Sequence, residues 1–224
     1  MLGKIFFFLI IVMLTGCQQQ QPAVNRWWTT EDSLRIMNEI AVHRQEANDF
    51  FNNDPNSPFN ADSTIHYDGI KWFPPDILFY FRSKLYRHEH PETVIVFGTK
   101  GEERKELKYG YFILFFERQR HTLNVYKFTP YDAKRYELYK NLLSVWFTDE
   151  TTGKETYEVG RYVEIGDEDP DINHIYTINL NNAYNPYCAY SPQYSCAIPP
   201  KEDHLKFAIT AGEKKYHRHN SESR

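Results

Sequence analysis

The residues best suited to chemistry lie in one stretch of the chain, between positions 149 and 213. Arg161 follows a glycine and has tyrosines nearby, and a guanidinium in such surroundings can bind a carboxylate or phosphate bidentately. The same arginine could instead form an ion pair with Asp149, Glu155 or Glu213. Because aromatic walls with a few oriented polar groups are typical of small-molecule sites, we predict a site for a small polar or saccharide-like ligand. Its candidate residues are Arg161, Asn185, Tyr157, Tyr162, Tyr184, Tyr190, Glu155 and Glu213.

Two other functions are compatible with the same stretch. A hydrolase could use Asp149, Glu155 or Glu213 as acid and base, which requires two carboxylates in one cavity and a raised pKa on at least one. An interaction scaffold of the cell envelope would instead present the tyrosines as an exposed patch. The chain lacks the G-x-S-x-G, H-E-x-x-H, P-loop and G-x-G-x-x-G motifs. No catalytic residue is therefore assigned.

Part of the stretch has a purely structural interpretation. Asp149 and Gly153 bracket a segment between two aromatic runs, where aspartate starts turns and glycine adopts a positive φ. These two residues predict a hairpin loop.

The N-terminus predicts export and lipidation. Lys4 precedes an apolar run over residues 5–14, about half of the ~20 residues that a membrane-spanning helix needs. The run ends in Leu14-Thr15-Gly16-Cys17, which resembles the cleavage box of bacterial lipoproteins. Residues 1–16 are thus expected to be a signal peptide, and Cys17 to become the acylated first residue that anchors the chain to a membrane.

The position after Cys17 indicates which membrane. Gln18, rather than an aspartate, fits an outer membrane, so we expect a protein of the bacterial cell envelope that faces the periplasm or the cell surface. We predict that residues 17–28 consist of the acylated cysteine and a tether.

Cys188 and Cys196 are the thiols that remain once Cys17 carries lipid. In an exported chain they predict a disulfide, whose ring contributes roughly 2.5 kcal/mol in the loop-closure estimate. Zinc binding with His204 is an alternative, but the spacing lacks the short C-x-x-C knuckle. A nucleophilic cysteine with His174 or His204 as base is another. No metal and no cofactor is predicted.

Composition indicates one domain of mainly β structure. The chain has 224 residues, 41% of them hydrophobic and 17% aromatic, which suits a single β-rich core. Its net charge of −4 argues against a nucleic-acid partner. We place the domain at residues 29–216 and a polar tail at 217–224.

The periodicity predicts one helix followed by an antiparallel meander that forms a barrel or sandwich. The N-terminal amphipathic helix begins with a threonine cap at Thr29 or Thr30 and ends before Pro55. Its predicted apolar face is Leu34, Met37, Ile40, Ala41, Ala47, Phe50 and Phe51. Predicted strands cover residues 65–73, 77–81, 93–97, 107–116, 122–128, 145–147, 155–165, 174–180 and 205–210, and residues 131–143 fit a helix or a crossover.

The chain resembles the DUF1684 family of bacterial proteins. The resemblance covers most of the mature chain and is specific in six motifs: Phe147-Thr148-Asp149, residues 152–157, Gly160-Arg161-Tyr162, residues 183–190, residues 196–200, and Ala211-Gly212-Glu213-Lys214. Asn179-Leu180-Asn181 replaces the family's Asp-Phe-Asn, and Glu202-Asp203 replaces its Glu-Asn. The resemblance implies no activity, since the family's function is unknown.

Overall fold

The computed structural model describes residues 28–61 and 65–216. The predicted signal peptide, Cys17, all of the tether but Trp28, and the polar tail lie outside these residues. Within them, no helix combines the length and the apolar character that crossing a membrane requires.

The N-terminal helix α1 spans Thr30–Asn53. Thr29 and Asp32 form a reciprocal capping box at its start, which confirms the predicted threonine cap. The predicted apolar face is correct at Ile40 and Phe51, which are buried, but it misses the buried Ile36 and includes Leu34, which is 69% exposed. Ile36 and Ile40 pack with Tyr80, so they lie on the side of the helix that faces the core.

The strands form a mainly antiparallel architecture, as predicted. A six-stranded sheet has the order β2-β3-β4-β5-β6, with the short β8 paired to β5, and β1 and β7 form a separate ribbon. The described strands do not close a barrel. The elements are β1 (Tyr80–Lys84), β2 (Tyr86–Phe97), β3 (Glu103–Phe116), β4 (Gln119–Phe128), α2 (Ala133–Tyr139), β5 (Leu142–Asp149), β6 (Arg161–Asp167), β7 (Ile175–Asn179) and β8 (His204–Leu205).

The main core lies between the β1–β7 ribbon and one face of the sheet. It contains Phe81 of the ribbon, Phe112 and Phe147 of the sheet, and Ile209 of the C-terminal segment. The other face of the sheet carries a smaller cluster around Tyr126 and Trp146. α1 and the loops packed against it form two further clusters.

One turn and one register shift illustrate how local sequence shapes the sheet. β3 and β4 are joined by Glu117 and Arg118, both with positive φ, as a tight two-residue hairpin requires. β2 contains Pro91 beside a register shift, which is tolerated because β2 lies at the edge of the sheet.

Several predicted strands are shorter than expected or absent. In residues 65–73 only Trp72 pairs, through one bridge to Glu213. β6 begins at Arg161 rather than at 155, since Gly160 has a φ of 117° and the preceding residues form turns. Of residues 205–210, only Leu205 lies in a strand.

Candidate functional site

Arg161 is the centre of a buried polar network. It is the first residue of β6, has no exposed surface, and its Nη2 lies 2.9 Å from Oδ2 of the equally buried Asp149. The guanidinium also donates to the carbonyl oxygens of Ile209 at 2.9 Å, Glu213 at 3.3 Å and Ala211. Arg161 therefore ties the C-terminal segment to the sheet, and of the two interpretations of this residue the ion pair with Asp149 is confirmed.

Asp149 serves both as counterion and as turn former. Its Oδ1 accepts from the backbone and hydroxyl of Thr151 at 2.8 and 2.6 Å and from the N–H of Ile209 at 3.2 Å. Gly153 has a φ of 77°, which confirms the predicted hairpin loop. Burial lowers the pKa of Arg161, and the adjacent Asp149 carboxylate opposes that shift.

Glu213 forms the second half of the network with two other predicted residues. Its Oε2 accepts from the N–H of Asn185 at 2.9 Å and from the hydroxyl of Tyr190. Asn185 in turn donates from Nδ2 to the carbonyl of Lys214 at 2.9 Å. Burial raises the pKa of Glu213 to about 7, while the hydrogen bonds from Tyr190 and Asn185 and the charge of Arg161 oppose the rise. Asn185, Tyr190, Arg161 and Glu213 thus converge, but inside the protein.

The other predicted site residues lie outside this network. Glu155 is exposed. Tyr157 is half-buried and donates its hydroxyl to Sγ of Cys188 at 3.7 Å. Tyr162 donates to the carbonyl of Ala197 at 2.6 Å, and its ring stands edge-on to that of Tyr184, 5.9 Å between centroids. The tyrosines therefore do not line one cavity with Arg161.

Cys188 and Cys196 lie side by side as thiols in the structure, and the predicted disulfide stays a prediction. The N–H of Cys188 lies 3.3 Å from Sγ of Cys196. Hydrogen bonding from Cys196 lowers the pKa of Cys188 to about 6 and raises that of Cys196. His204 lies instead within 3.2 Å of Glu150. Among residues 28–61 and 65–216, no group of three or more potential ligands is placed to hold a metal ion.

A second arginine, which the sequence prediction does not include, has unusual surroundings. Arg44 of α1 lies over the Trp72 ring, with Cζ 4.9 Å from the ring centroid. Its Nε and Nη2 are buried and have no hydrogen-bond partner within the described residues. Burial lowers its pKa.

Other functional groups are linked to this arginine through Trp72 and His43. The ring of His43 stands edge-on to Trp72 at 6.4 Å, and burial lowers the pKa of His43 while Glu164 opposes. Burial also raises the pKa of Tyr184, and the charge of Glu164 contributes to the rise. We call His43, Arg44, Trp72, Glu164 and Tyr184 the Arg44 cluster. It adjoins the buried network, because Trp72 pairs with Glu213.

Comparison with known proteins identifies the family. The model of the family described as "Protein of unknown function (DUF1684)" matches residues 65–214. The chain belongs to the DUF1684 family. A solution NMR structure of an uncharacterized protein from Haloarcula marismortui is similar, with 27% identity and a TM-score of 0.59 over 83% of this chain and 97% of that one. A search of curated proteins finds no match.

The two departures from the DUF1684 pattern both fall at structural positions. Oδ1 of Asn179 caps a 3-10 turn by accepting from the N–H and Nδ2 of Asn181, each at 3.1 Å. An asparagine oxygen fills this acceptor role as an aspartate would. Asp203 is buried and accepts from Nδ2 of Asn124 at 2.6 Å and the hydroxyl of Tyr126 at 2.8 Å. Neither replacement removes a group from the Arg44 cluster.

The position of Arg44 within α1 is a signal that the sequence itself carries. Arg44 follows Ile40 by four residues and precedes Phe51 by seven, so it lies on the apolar face of the helix. A cation on such a face must find a partner or remain unsatisfied. Its spacing from these apolar residues is therefore enough to mark Arg44 as a candidate.

Proposed function

We propose that this DUF1684 protein is a lipid-anchored protein of the bacterial cell envelope whose β domain binds a small anionic, saccharide-like ligand at the Arg44 cluster. The observation that carries the binding proposal is the guanidinium of Arg44, with two buried nitrogens that lack hydrogen-bond partners in the described chain. The lipid anchor is supported by the apolar run at residues 5–14 and by Cys17.

The chemistry of Arg44 selects an anion. A buried guanidinium without a partner is unfavourable, and a carboxylate or phosphate relieves this by accepting two parallel N–H bonds. Arg44 takes part in no salt bridge within the described residues, whereas Arg35 of the same helix pairs with Glu39 at 2.6 Å. The ligand-binding role predicted for Arg161 therefore suits Arg44 better.

The other members of the Arg44 cluster suit a sugar ring. Trp72 and Tyr184 offer aromatic surfaces, and the imidazole of His43 and the carboxylate of Glu164 can hydrogen-bond hydroxyl groups. Because Nε and Nη2 of Arg44 are buried, ligand binding requires the side chain to change rotamer.

The alternative functions have less support. Glu213 has the raised pKa that a hydrolase requires, but Asp149 and Glu213 are buried and already bonded to Arg161 and Tyr190, so neither faces a substrate. Glu155 is exposed and lies outside this network. Tyr190 is buried and Tyr157, Tyr162 and Tyr184 are half-buried, which does not favour an exposed scaffold patch.

Calorimetry on the full chain in detergent tests the binding proposal. Glucuronate and glucose 6-phosphate are the anionic probes, and glucose is the neutral control. We expect the anionic probes to bind more tightly than glucose, and Arg44→Met to weaken their binding about 10-fold or more, since hydrogen bonds to charged groups contribute about 1.5–3 kcal/mol.

The matched control is Arg35→Met, which removes an exposed, already paired arginine from the same helix. This variant should bind like the wild type. Equal affinity of the Arg44→Met and Arg35→Met proteins, or the absence of binding by any anionic sugar, would reject the proposal. Fractionation of the full chain beside Cys17→Ala tests the anchor, and unchanged membrane association of the variant would reject that part.

A further inference from the structure

A pocket of about 230 Å³ lies beside α2, where β3 begins and β4 ends. None of its lining residues belongs to the Arg44 cluster or to the Arg161 network. The lining residues that matter for binding are Glu106, Arg135, Phe128, Tyr131 and Asp132.

Glu106 is the unusual residue of this pocket. It lies on β3 between Val94 of β2 and Phe128 of β4, and it is 5% exposed. Its Oε2 is buried and has no hydrogen-bond partner in the part of the chain that is described. A buried carboxyl oxygen without a hydrogen-bond donor is costly, so this atom indicates a ligand group that donates a hydrogen bond.

Arg135 supplies the opposite charge. Its guanidinium stacks on the Phe128 ring, with Cζ 5.6 Å from the centroid, and it takes part in no salt bridge among the described residues. By contrast, Arg104 in the same pocket is already bonded to Glu102 at 2.6 Å and to the carbonyl of Ser195 at 2.7 Å. Arg135 and Lys105, whose Nζ lies 4.7 Å from the centroid of Tyr131, are therefore the cations available to a ligand carboxylate. Of the two, the guanidinium of Arg135 can bind a carboxylate bidentately.

Apart from Glu106, the charged residues of the pocket balance one another. Glu102, Glu103 and Asp132 oppose Arg104, Lys105 and Arg135. Burial raises the pKa of Glu106 to about 7, with Arg104 and Arg135 opposing and Asp132 adding to the rise. Near neutral pH this carboxyl can thus lose a proton when a cationic group binds beside it. Phe128 and Tyr131 add aromatic surface.

We propose that this pocket binds a small zwitterion of the amino-acid class, whose carboxylate pairs with Arg135 and whose ammonium group donates to Glu106. A ligand with no net charge fits the balanced surroundings, and its two ends match two groups left without partners by the described residues, the unsatisfied carboxyl of Glu106 and the unpaired cation of Arg135. An aromatic or apolar side chain of the ligand packs on Phe128 and Tyr131.

Calorimetry on the full chain at pH 7 with three matched probes tests the proposal. Phenylalanine carries both charged groups, phenyllactate replaces the ammonium by a hydroxyl, and phenethylamine lacks the carboxylate. We expect phenylalanine to bind at least about 10-fold more tightly than either analogue, because each analogue leaves one protein group unpaired. Binding should release a fraction of a proton, seen as a heat that varies with the ionisation enthalpy of the buffer.

Three variants locate the interaction. Glu106→Gln and Arg135→Met should each weaken phenylalanine binding about 10-fold or more, and Glu106→Gln should also abolish the proton release. Lys134→Met, an exposed neighbour in α2, should bind like the wild type. If the Glu106→Gln protein does not fold, the phenylalanine affinity of Arg135→Met still tests the proposal, because Arg135 lies on the exposed helix α2. Absence of binding by the standard amino acids at about 10 mM, or unchanged affinity in Arg135→Met, would overturn the proposal.

Discussion

Two arginines of this protein lie against aromatic rings and yet have opposite surroundings. Arg161 lies 5.4 Å from the centroid of Phe147 and Arg44 lies 4.9 Å from that of Trp72. Arg161 bonds to the carboxylate of Asp149 and to three backbone carbonyls and leaves only its Nε without a partner in the described part of the chain. Two nitrogens of Arg44 have no partner among the described residues, and Arg44 forms no salt bridge with them. The contrast indicates that Arg161 stabilises the fold and that Arg44 is available for a ligand.

The difference follows from where each arginine lies in the fold. Arg161 is placed by the β5–β6 register, which sets it opposite Phe147 and near Asp149 at the end of β5. Arg44 lies on a helix face that covers Trp72, where no carboxylate of the described residues is in position to pair with it. The arginine that we propose binds a ligand is thus recognised by its lack of a carboxylate partner within the described chain.

The largest expected effect comes from removing one arginine or the other. Arg161→Met leaves Asp149 buried without a counterion, so we expect a loss of about 3–5 kcal/mol in the free energy of unfolding. Arg44→Met should change that free energy by about 1 kcal/mol or less, because it removes a donor that forms no hydrogen bond through two of its nitrogens. Urea denaturation of both variants measures the difference.

A double variant separates charge from packing in the Arg161 network. Arg161→Met combined with Asp149→Asn removes both charges and keeps an acceptor for Thr151, so it should recover part of the loss. Equal stabilities of Arg161→Met and Arg44→Met would remove the basis of the comparison.

The sequence predicts the parts of this fold that depend on neighbouring residues. The threonine cap of α1 and the hairpin loop at Asp149 and Gly153 are both confirmed, because each is decided within a few residues. The strand predicted at 65–73 is wrong except for the bridge at Trp72. A run of β-forming residues is not sufficient for a strand without a partner, and partners are chosen by the tertiary fold.

For the candidate site, too, the sequence predicts only what does not depend on tertiary contacts. Residue chemistry identifies Arg161, Asn185 and Glu213, and the structure brings them together, yet their role depends on contacts with residues about 50 positions away, such as Ala211. Residue types cannot show whether an arginine is enclosed by carbonyls. The isolation of Arg44 is equally invisible to residue type, because it arises only when Trp72 packs beneath α1.

A smaller effect is expected at the glycine that lets the C-terminal segment reach Arg161. Gly212 has a φ of 77°, and a Cβ there would lie 2.5 Å from the carbonyl oxygen of Ala183. Gly153 has the same φ, but a Cβ would meet nothing within 4 Å. We expect Gly153→Ala to cost about 1 kcal/mol through backbone strain alone, and Gly212→Ala about 3 kcal/mol because it adds a clash.

Thermal or urea denaturation of the two alanine variants measures this difference. If both lose the same stability, the close approach of the C-terminal segment is not needed to complete the Arg161 network. The enclosed nature of that network, and with it the contrast to Arg44, would then be in doubt.

A further effect is a pH dependence that reports whether the network is sealed from water. Burial raises the pKa of Glu213 from 4.5 to about 7, so between these pH values the folded state binds more protons than the unfolded state. The contribution of Glu213 to stability is therefore complete below about pH 4.5 and is lost as the pH rises towards about 7. Glu213→Gln should flatten this fall by up to about 1.4 kcal/mol per pH unit, the value for one proton.

Glu106 provides the comparison for this measurement, since burial raises its pKa to about 7 in a separate pocket. Because the two carboxyls lie in separate sites, Glu106→Gln and Glu213→Gln should flatten the pH dependence additively. Urea titrations at pH 5, 6 and 7 on the two single variants and the double variant measure the slopes. A slope in Glu213→Gln equal to that of the wild type would mean that water reaches this carboxylate in the folded state. The polar network around Arg161 would then be as open as the surface at Arg44, and the assignment of one to stability and the other to binding would lose its physical basis.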